Sequence, residues 1–252
     1  MRRELSEKEI LDTVRDIRHE APGIGAYKLY LMLKELYPDG MRGRDWFYGL
    51  MHESHLMLKP GKRRHTTSSN HPYRKYKNMI KGLTVNRINQ LWVADITYID
   101  TDEGVAYLHL LTDAFTHEII GWVLSDSLVA SNTVTALEMG ISHVSPLGFD
   151  GLIHHSDRGV QYCCNQYIDR LQAIKATISM TEDYKPTDNA IAERVNGIIK
   201  QEWLYRMKRP PDVVVARDLL GRIIDFYNNR RPQRSNRDML PPVRFREALT
   251  CM

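Results

Sequence analysis

The sequence has 252 residues, of which 42% are hydrophobic, and a formal net charge of +4 at pH 7. A chain of this length can bury one sizeable core together with a small satellite domain. No apolar run approaches the roughly 20 residues that span a membrane, and the first ten residues are rich in charge, so we expect a cytoplasmic protein without a secretion signal or an anchor. The three cysteines, two of them adjacent, predict neither a disulfide framework nor a zinc site.

Charge is segregated into blocks along the chain. Residues 59–90 contain nine Lys or Arg and no acid, whereas residues 91–157 contain ten Asp or Glu and no base. After residue 157 the chain is basic again, with 17 Lys or Arg against 11 Asp or Glu. Such blocks are typical of a polyanion-binding arm beside an acidic, cation-binding core. Solvated surface is the usual explanation of a single charge run, but it accounts less well for three alternating blocks.

Three short amphipathic helices are predicted at the N-terminus. Ser6 is the expected N-cap of the first, and Glu9 completes a capping box. A tight break before the third helix gives a helix-turn-helix pattern, in which the last helix would enter the major groove and Arg42 and Arg44 would contact DNA. An ordinary three-helix bundle for protein contacts is the alternative. The predicted helices cover residues 6–19, 25–36 and 44–56.

A basic segment follows these helices. Residues 59–81 combine Lys, Arg, Ser, Thr, Asn and Tyr with neither helical nor strand periodicity. We interpret the segment as a linker that becomes ordered on a phosphate backbone. A flexible tether without a binding role is the alternative, and the absence of acids argues against it. The bases expected to contact phosphates are Arg63, Arg64, Arg74 and Lys75.

Hydrophobic alternation of period two begins at Leu91 and predicts three antiparallel strands, LWVADITYI, VAYLHLLTDAF and HEIIGWVLS. Helices then alternate with the strands GLIHH and ATISM, which gives an α/β fold with a mixed sheet. A later helix carries Glu193, with Asp188 as its expected N-cap. The other predicted helices cover residues 128–144, 161–173 and, as the last one, 213–227.

Three carboxylates occupy positions where an unpaired charge is costly. Asp95 lies within an apolar strand, Asp157 follows the strand GLIHH, and Glu193 lies on a helix. The chain has 61 residues between the first two and 35 between the last two. Acids from separate elements that converge on one point are most simply explained by a divalent cation with oxygen ligands, which favours Mg²⁺ or Mn²⁺. The alternative, an edge aspartate and a solvated glutamate, does not account for the set.

The motifs LWVADITYID, HSDRGVQY and DNAIAERVNG resemble the D,D(35)E catalytic triad of bacterial insertion-element transposases, whose core is similar to that of retroviral integrases. The chain most resembles the second-reading-frame (OrfB) transposases, from about residue 25 to residue 247, including the tail FYNNRRPQRSN and Lys200. It departs at the loop YKPTDNA and at Gln233, and neither departure removes a carboxylate. The resemblance implies a ribonuclease H-like mixed sheet flanked by helices, preceded by a small all-α helix-turn-helix domain. The expected divisions are a helix-turn-helix domain (1–58), a basic linker (59–88), a catalytic core (89–205) and a basic C-terminal extension (206–252).

The resemblance also implies an activity. A DNA transposase of this kind hydrolyses a phosphodiester at an element end and transfers the exposed 3′-hydroxyl to another phosphodiester, with Asp95, Asp157 and Glu193 holding two Mg²⁺ or Mn²⁺ ions. Its partners would be double-stranded DNA of the element ends and target, further copies of the chain on that DNA, and the product of an upstream reading frame. It would associate with the nucleoid when bound to DNA. Two rival functions are a ribonuclease H-like nuclease without strand transfer and a DNA-binding regulator with an inactive core.

Three further side chains are expected near the same helical face as Glu193. Asn189, Asn196 and Lys200 follow the spacing of that face, at four residues before and at three and seven after. We expect the two asparagines to support the carboxylates and Lys200 to hold DNA. A surface lysine paired with Glu202 or Glu193 is the alternative for Lys200.

His154 and His155 are adjacent on a strand, so their side chains face opposite ways. At most one of them can reach the carboxylates. His155 is the candidate, as a group that orients the DNA or Asp157, and a core or edge position is expected for the other.

Overall fold

The computed structural model describes residues 5–58, 74–144, 148–182 and 189–250. Arg63, Arg64 and Asp188, which the sequence singles out, lie outside these ranges. The helices are α1 (Glu7–Glu20), α2 (Ala26–Leu36), α3 (Arg44–Glu53), α4 (Ala130–Val144), α5 (Val160–Cys163), α6 (Asn165–Ala173), α7 (Ala190–Ile199), α8 (Val213–Asn229) and α9 (Pro242–Thr250). The strands are β1 (Leu91–Thr101), β2 (Gly104–Asp113), β3 (Ile119–Ser125), β4 (Ile153–Ser156) and β5 (Thr177–Met180). Within the described ranges, no helix is long and apolar enough to cross a bilayer.

The five strands form one mixed sheet in the order β3-β2-β1-β4-β5. The first three strands pair antiparallel, whereas β4 pairs parallel with both β1 and β5. Short turns suffice between antiparallel neighbours, and the parallel pairs require helical crossovers, which α4 to α6 provide. The predicted fold class, a ribonuclease H-like mixed sheet flanked by helices, is therefore confirmed.

Several predicted boundaries are right and others are wrong. The capping box at α1 forms, because the Ser6 hydroxyl accepts from the Glu9 backbone N–H at 3.3 Å and the Glu9 carboxylate accepts from the Ser6 N–H at 2.9 Å. The single helix predicted over residues 161–173 is two helices, because Cys164 has an extended backbone (φ −68°, ψ 148°). Asn189, one residue beyond the predicted Asp188, is the N-cap of α7. The helix α8, which the sequence predicts to be the last, is followed by α9.

One face of the sheet packs against α4, α5 and α6. The shared hydrophobic cluster includes Trp92, Leu111, Leu137 and Tyr167. A Cβ atom added to Gly121 would lie 2.0 Å from the Ala136 carbonyl oxygen, so glycine is required where α4 lies directly on the backbone of β3.

The opposite face carries α7, α8 and the three N-terminal helices in a second cluster. Trp203 is fully buried there, and its indole N–H donates to the Glu20 carbonyl at 2.9 Å. The Gly23 N–H donates to the Glu202 carbonyl at 2.6 Å, and a Cβ at Gly23 would lie 2.3 Å from the Glu202 Cα. The N-terminal helices thus share a core with the sheet, and the domain divisions stay a prediction.

Glu202 joins three segments of the chain. It lies in a short π-helical turn, Lys200–Leu204, that continues α7. Its carboxylate accepts from the Lys28 Nζ at 2.7 Å and from the Arg231 Nε and Nη2 at 2.8 Å each. Burial alone would raise the pKa of Glu202, but the hydrogen bonds and charges of Arg231 and Lys28 outweigh burial and lower it. An α2 lysine and an arginine after α8 are thereby fixed to the turn after α7.

Candidate active site

Asp95 lies in the middle of β1, opposite Leu110 of β2, and is half-buried. The Asn196 side-chain amide donates to its Oδ2 at 2.6 Å. Burial, then the charge of Asp157 and last that of Glu193 raise the pKa of Asp95 from 3.8 to about 7, against the hydrogen bonds of Ile96 and Asn196. The structure therefore brings both other carboxylates into the electrostatic neighbourhood of Asp95.

Asp157 directly follows β4, at the end of the strand adjacent to β1. The Gly159 backbone N–H donates to its Oδ1 at 2.9 Å. A Cβ atom at Gly159 would lie 2.9 Å from that same oxygen, so a side chain there would push the carboxylate away. The backbone turns immediately into α5, where the Tyr162 N–H donates to the Gly159 carbonyl at 3.0 Å. One glycine thus holds the carboxylate in place and begins the next helix.

Glu193 lies in the first turn of α7 and is exposed. The helix is anchored through Ala192, Val195 and Ile199, which are buried, so Glu193 stands at the margin of the site. Among the residues that the structure describes, no three His, Cys, Asp or Glu side chains are arranged so that they could hold a metal ion. The charges of Asp157 and Glu193 therefore affect Asp95, but the three side chains, as they stand, are not arranged to coordinate one ion.

The two asparagines named from the sequence both contact β1. The Asn189 amide donates to the Ala94 carbonyl at 3.0 Å, and the Asn196 amide donates to Asp95. These bonds fasten α7 to the strand that carries Asp95. Both asparagines are buried, so the helical face predicted to accompany Glu193 does lie against the site.

Lys200 is half-buried at the end of the same helix. Burial lowers its pKa, while the charges of Asp95 and Asp100 act in the opposite direction, which places the ammonium group near Asp95. Glu202, one of the two alternative partners, is instead bound by Lys28 and Arg231. A basic side chain thus stands beside the acidic site.

The two histidines face opposite sides of the sheet, as predicted. The His154 Nε2 lies 2.9 Å from the Tyr167 hydroxyl, on the side of α6. The His155 Nδ1 lies 2.8 Å from the Ser179 Oγ, and that oxygen also accepts from the Met79 N–H at 2.8 Å. His155 pairs with Val93 in register and therefore shares the sheet face of Asp95.

The basic residues named for DNA contact lie on the surface. Arg42 stacks on Trp46 at 4.7 Å from the ring centroid, and Arg44 pairs with Asp45 at the start of α3. Arg74 and Lys75 are exposed in the described end of the basic segment. That end lies near α5, because burial and then the charge of Asp157 raise the pKa of Cys163 to about 11, and the charge of Lys75 opposes this effect.

Two residues close to Asp157 were missed as functional candidates. Gly159 and Tyr162 both stand in the motif HSDRGVQY, yet their spacing alone indicates only a turn and a helix. The Tyr162 side chain is 2% exposed, and burial and the charges of Asp157 and Asp95 raise its pKa well above the ordinary value. The hydrogen bond of Gly159 to Asp157 and the influence of the two aspartates on the pKa of Tyr162 became visible only in three dimensions.

Comparison with known proteins identifies the family. The Integrase core domain family matches residues 85–186, and a second Integrase core domain family matches residues 174–242. The protein of insertion sequence element IS986/IS6110 of Mycobacterium tuberculosis is 34% identical over 163 residues, which cover 64% of this chain and 58% of that protein. The transposase for insertion sequence element IS904 of Lactococcus lactis is 30% identical over 237 residues, 89% of each chain.

Among solved structures, the chain is similar to the catalytic core domain of the HTLV-2 integrase, which was solved in complex with magnesium. The sequence identity is 16% and the TM-score is 0.48, over 69% of this chain and 99% of that one. Family membership rests on the sequence matches, which include both integrase-core regions and a relative covered along most of its length. The chain therefore belongs to the insertion-element transposases that are built on an integrase core domain.

Proposed function

We propose that this chain hydrolyses a phosphodiester at the end of its element and transfers the exposed 3′-hydroxyl to another phosphodiester, with Asp95, Asp157 and Glu193 as the essential carboxylates. The observation that supports this proposal is the pKa of Asp95, which burial and the two other acids raise to about 7. Carboxylates that repel one another in the metal-free protein are suited to bind a cation together, because the cation neutralises that repulsion.

The chemistry of the donor set fits a hard divalent cation. All three candidate ligands are carboxylates, and oxygen ligands are those that Mg²⁺ and Mn²⁺ prefer. When bound, two such ions would neutralise phosphate charge and lower the pKa of the attacking hydroxyl or water. Glu193 would have to turn toward the two aspartates to complete such a site, and its exposed position at the start of α7 leaves room for another rotamer.

The chain's own residues then fix the remaining geometry. Asn196 holds one oxygen of Asp95, and the Gly159 N–H holds one oxygen of Asp157. Lys200, beside Asp95, would contact a phosphate of the DNA next to the scissile bond, since an ammonium group can donate hydrogen bonds but cannot ligate a cation. These contacts keep the acids in place while the substrate changes from the cleaved end to the joined strand.

DNA would be held mainly outside the carboxylate site. We propose that α3 reads base edges through Arg42 or Arg44, and that the basic segment with Arg74 and Lys75 binds phosphates without regard to sequence. Because an element has two ends, the active form would contain at least two copies of the chain, and the product of an upstream reading frame would assist end recognition. Lys75, which is exposed and influences Cys163 of α5, would direct the bound DNA toward this side of the core.

The decisive experiment compares Asp157→Asn and Glu193→Gln with Asp102→Asn, an exposed acid in the turn between β1 and β2. With labelled element-end DNA and MgCl₂, the two site variants should lose nicking and joining by at least about 100-fold while keeping their affinity for DNA, because each amide keeps the shape and loses the charge. The control should retain both activities. Near-normal nicking by either site variant would remove that residue from the site, and nicking by the wild type without joined product would favour the nuclease.

DNA recognition has a separate test. Arg44→Ala should narrow the difference in affinity between element-end and random DNA, whereas the double variant of Arg74 and Lys75 to Ala should weaken both equally. The double variant should also reduce the slope of log affinity against log salt by up to about 1.8, at roughly 0.9 for each phosphate that the protein no longer neutralises. An unchanged slope would show that the described end of the basic segment is only a tether.

A further inference from the structure

The hydroxyl of Tyr162 is a buried donor without a hydrogen-bond partner. Tyr162 lies on α5, and its ring packs against those of Tyr167 and His154, at centroid distances of 5.5 and 6.5 Å. Only 2% of the residue is exposed, and within the described ranges its oxygen makes no hydrogen bond. Buried tyrosine hydroxyls usually find a partner, so an orphaned one requires an explanation.

The neighbouring Tyr167 shows that the pocket can satisfy a hydroxyl. Tyr167 is as deeply buried, and its hydroxyl lies 2.9 Å from the His154 Nε2. The aromatic packing of the two tyrosines is similar, yet only one of them is satisfied by the core. The function of the Tyr162 hydroxyl is therefore not explained by packing between the sheet and α6.

Tyr162 lies five residues after Asp157, in the helix that begins where the Asp157 loop ends. Its backbone N–H donates to the Gly159 carbonyl at 3.0 Å, and the Gly159 N–H donates to the Asp157 Oδ1 at 2.9 Å, so one short turn links the tyrosine to the carboxylate. After burial, the charges of Asp157 and then Asp95 contribute most to the raised pKa of Tyr162. A tyrosine hydroxyl is protonated at neutral pH and can donate a hydrogen bond.

We propose that Tyr162 is a positioning residue, whose hydroxyl donates a hydrogen bond to a carboxylate oxygen of Asp157 when that carboxylate binds a divalent cation. This inference rests on the proposed function, since it assigns the orphaned donor to the loaded form of the same site. The donor would fix the orientation of Asp157, as outer hydrogen bonds commonly do for carboxylate ligands. The protein without metal retains the unsatisfied hydroxyl, which is a stability cost confined to that form.

The test compares Tyr162→Phe with the matched control Tyr167→Phe. Each variant removes one buried hydroxyl from the same aromatic cluster, and circular dichroism confirms the fold. Without metal, Tyr162→Phe should keep or raise the Tm because it removes an unpaired polar group, whereas Tyr167→Phe should lower the Tm because it deprives His154 of its partner. In calorimetric titration with MgCl₂ and MnCl₂, Tyr162→Phe should bind the ion about 10-fold more weakly, and the control should bind like the wild type.

The outcomes distinguish a failure of the positioning role of Tyr162 from a failure of the proposed carboxylate site. Ion binding by Tyr162→Phe with the affinity of the wild type overturns the positioning role and leaves the proposed function intact. A lower Tm for Tyr162→Phe with unchanged ion affinity also overturns it, because the hydroxyl would then be structural. If the wild type binds neither ion, or Asp157→Asn binds as well as the wild type, the carboxylate site itself is wrong and the inference fails with it.

Discussion

Replacing Asp95 by Asn should stabilise the metal-free protein at pH 8 although it removes a carboxylate that we propose to be essential for activity. Burial, and then the charges of Asp157 and Glu193, raise the pKa of Asp95 from 3.8 to about 7. The folded chain consequently binds this proton more tightly than the unfolded chain does. The contribution of Asp95 to the free energy of unfolding is therefore most favourable at low pH and is lost as the pH rises from about 4 through 7. An asparagine does not titrate and avoids that loss.

The size of this stabilisation follows from the shift in the pKa of Asp95. A difference of about 3 pKa units corresponds to about 4 kcal/mol once the pH exceeds the folded-state pKa. Because Asp95 is half-buried, water screens part of this energy, and we expect about 2–4 kcal/mol. The carbonyl oxygen of an asparagine can still accept the hydrogen bond from Asn196, so the substitution should leave that bond in place.

The measurement is urea unfolding in EDTA at pH 4 and at pH 8. The free energy of unfolding of Asp95→Asn minus that of the wild type, the stability gap, should grow by about 2–4 kcal/mol from pH 4 to pH 8. Asp102→Asn, at an exposed turn, should show no such growth. Adding MgCl₂ at pH 8 should then stabilise the wild type and leave Asp95→Asn nearly unchanged. A gap that is equal at both pH values would refute the idea that the buried charge of Asp95 destabilises the protein.

Three more outcomes are expected. Gly159→Ala should reduce nicking by at least about 10-fold with little change in the fold, because the new Cβ would stand 2.9 Å from the Asp157 Oδ1; normal nicking would show that the loop can yield. Glu202→Gln should lower the free energy of unfolding by about 3–5 kcal/mol in urea, since it leaves Arg231 buried without its counter-charge, and a decrease below about 1 kcal/mol would contradict that role. Lys200→Ala should lower the nicking rate at saturating Mg²⁺ without shifting the Mg²⁺ midpoint; a shifted midpoint would indicate that the lysine organises the acids instead.

The parts of the fold that depend on local pattern were predictable. Alternation over residues 91–99 identifies β1 and puts Asp95 inside it, and the capping box at Ser6 identifies the start of α1. Helical spacing from Glu193 correctly indicates that Asn196 shares the side of the carboxylates. In each case the information lies within a few residues, and the period of the side chains determines which face they occupy.

The parts that depend on tertiary packing were not predictable. A linear pattern does not show that Trp203 donates to the Glu20 carbonyl or that Gly23 lies against Glu202, because these contacts join segments about 180 residues apart. The unsatisfied hydroxyl of Tyr162 was not predictable either. Its residue type and spacing match an ordinary buried tyrosine, and only the three-dimensional arrangement shows that, within the described ranges, no partner satisfies it.

The geometry of the site also depends on contacts made away from the acids. Glu193 begins α7, and the helix passes directly into the π-helical turn that carries Lys200 and Glu202. Lys200 in this turn lies close enough to Asp95 for that charge to affect its pKa, while Glu202 is bound by side chains of α2 and of the segment after α8. Such π-helical insertions are often found at functional sites because they redirect successive side chains. Since a helix moves as a rigid body, the packing of the N-terminal helices on this turn helps to determine where Glu193 stands relative to Asp95.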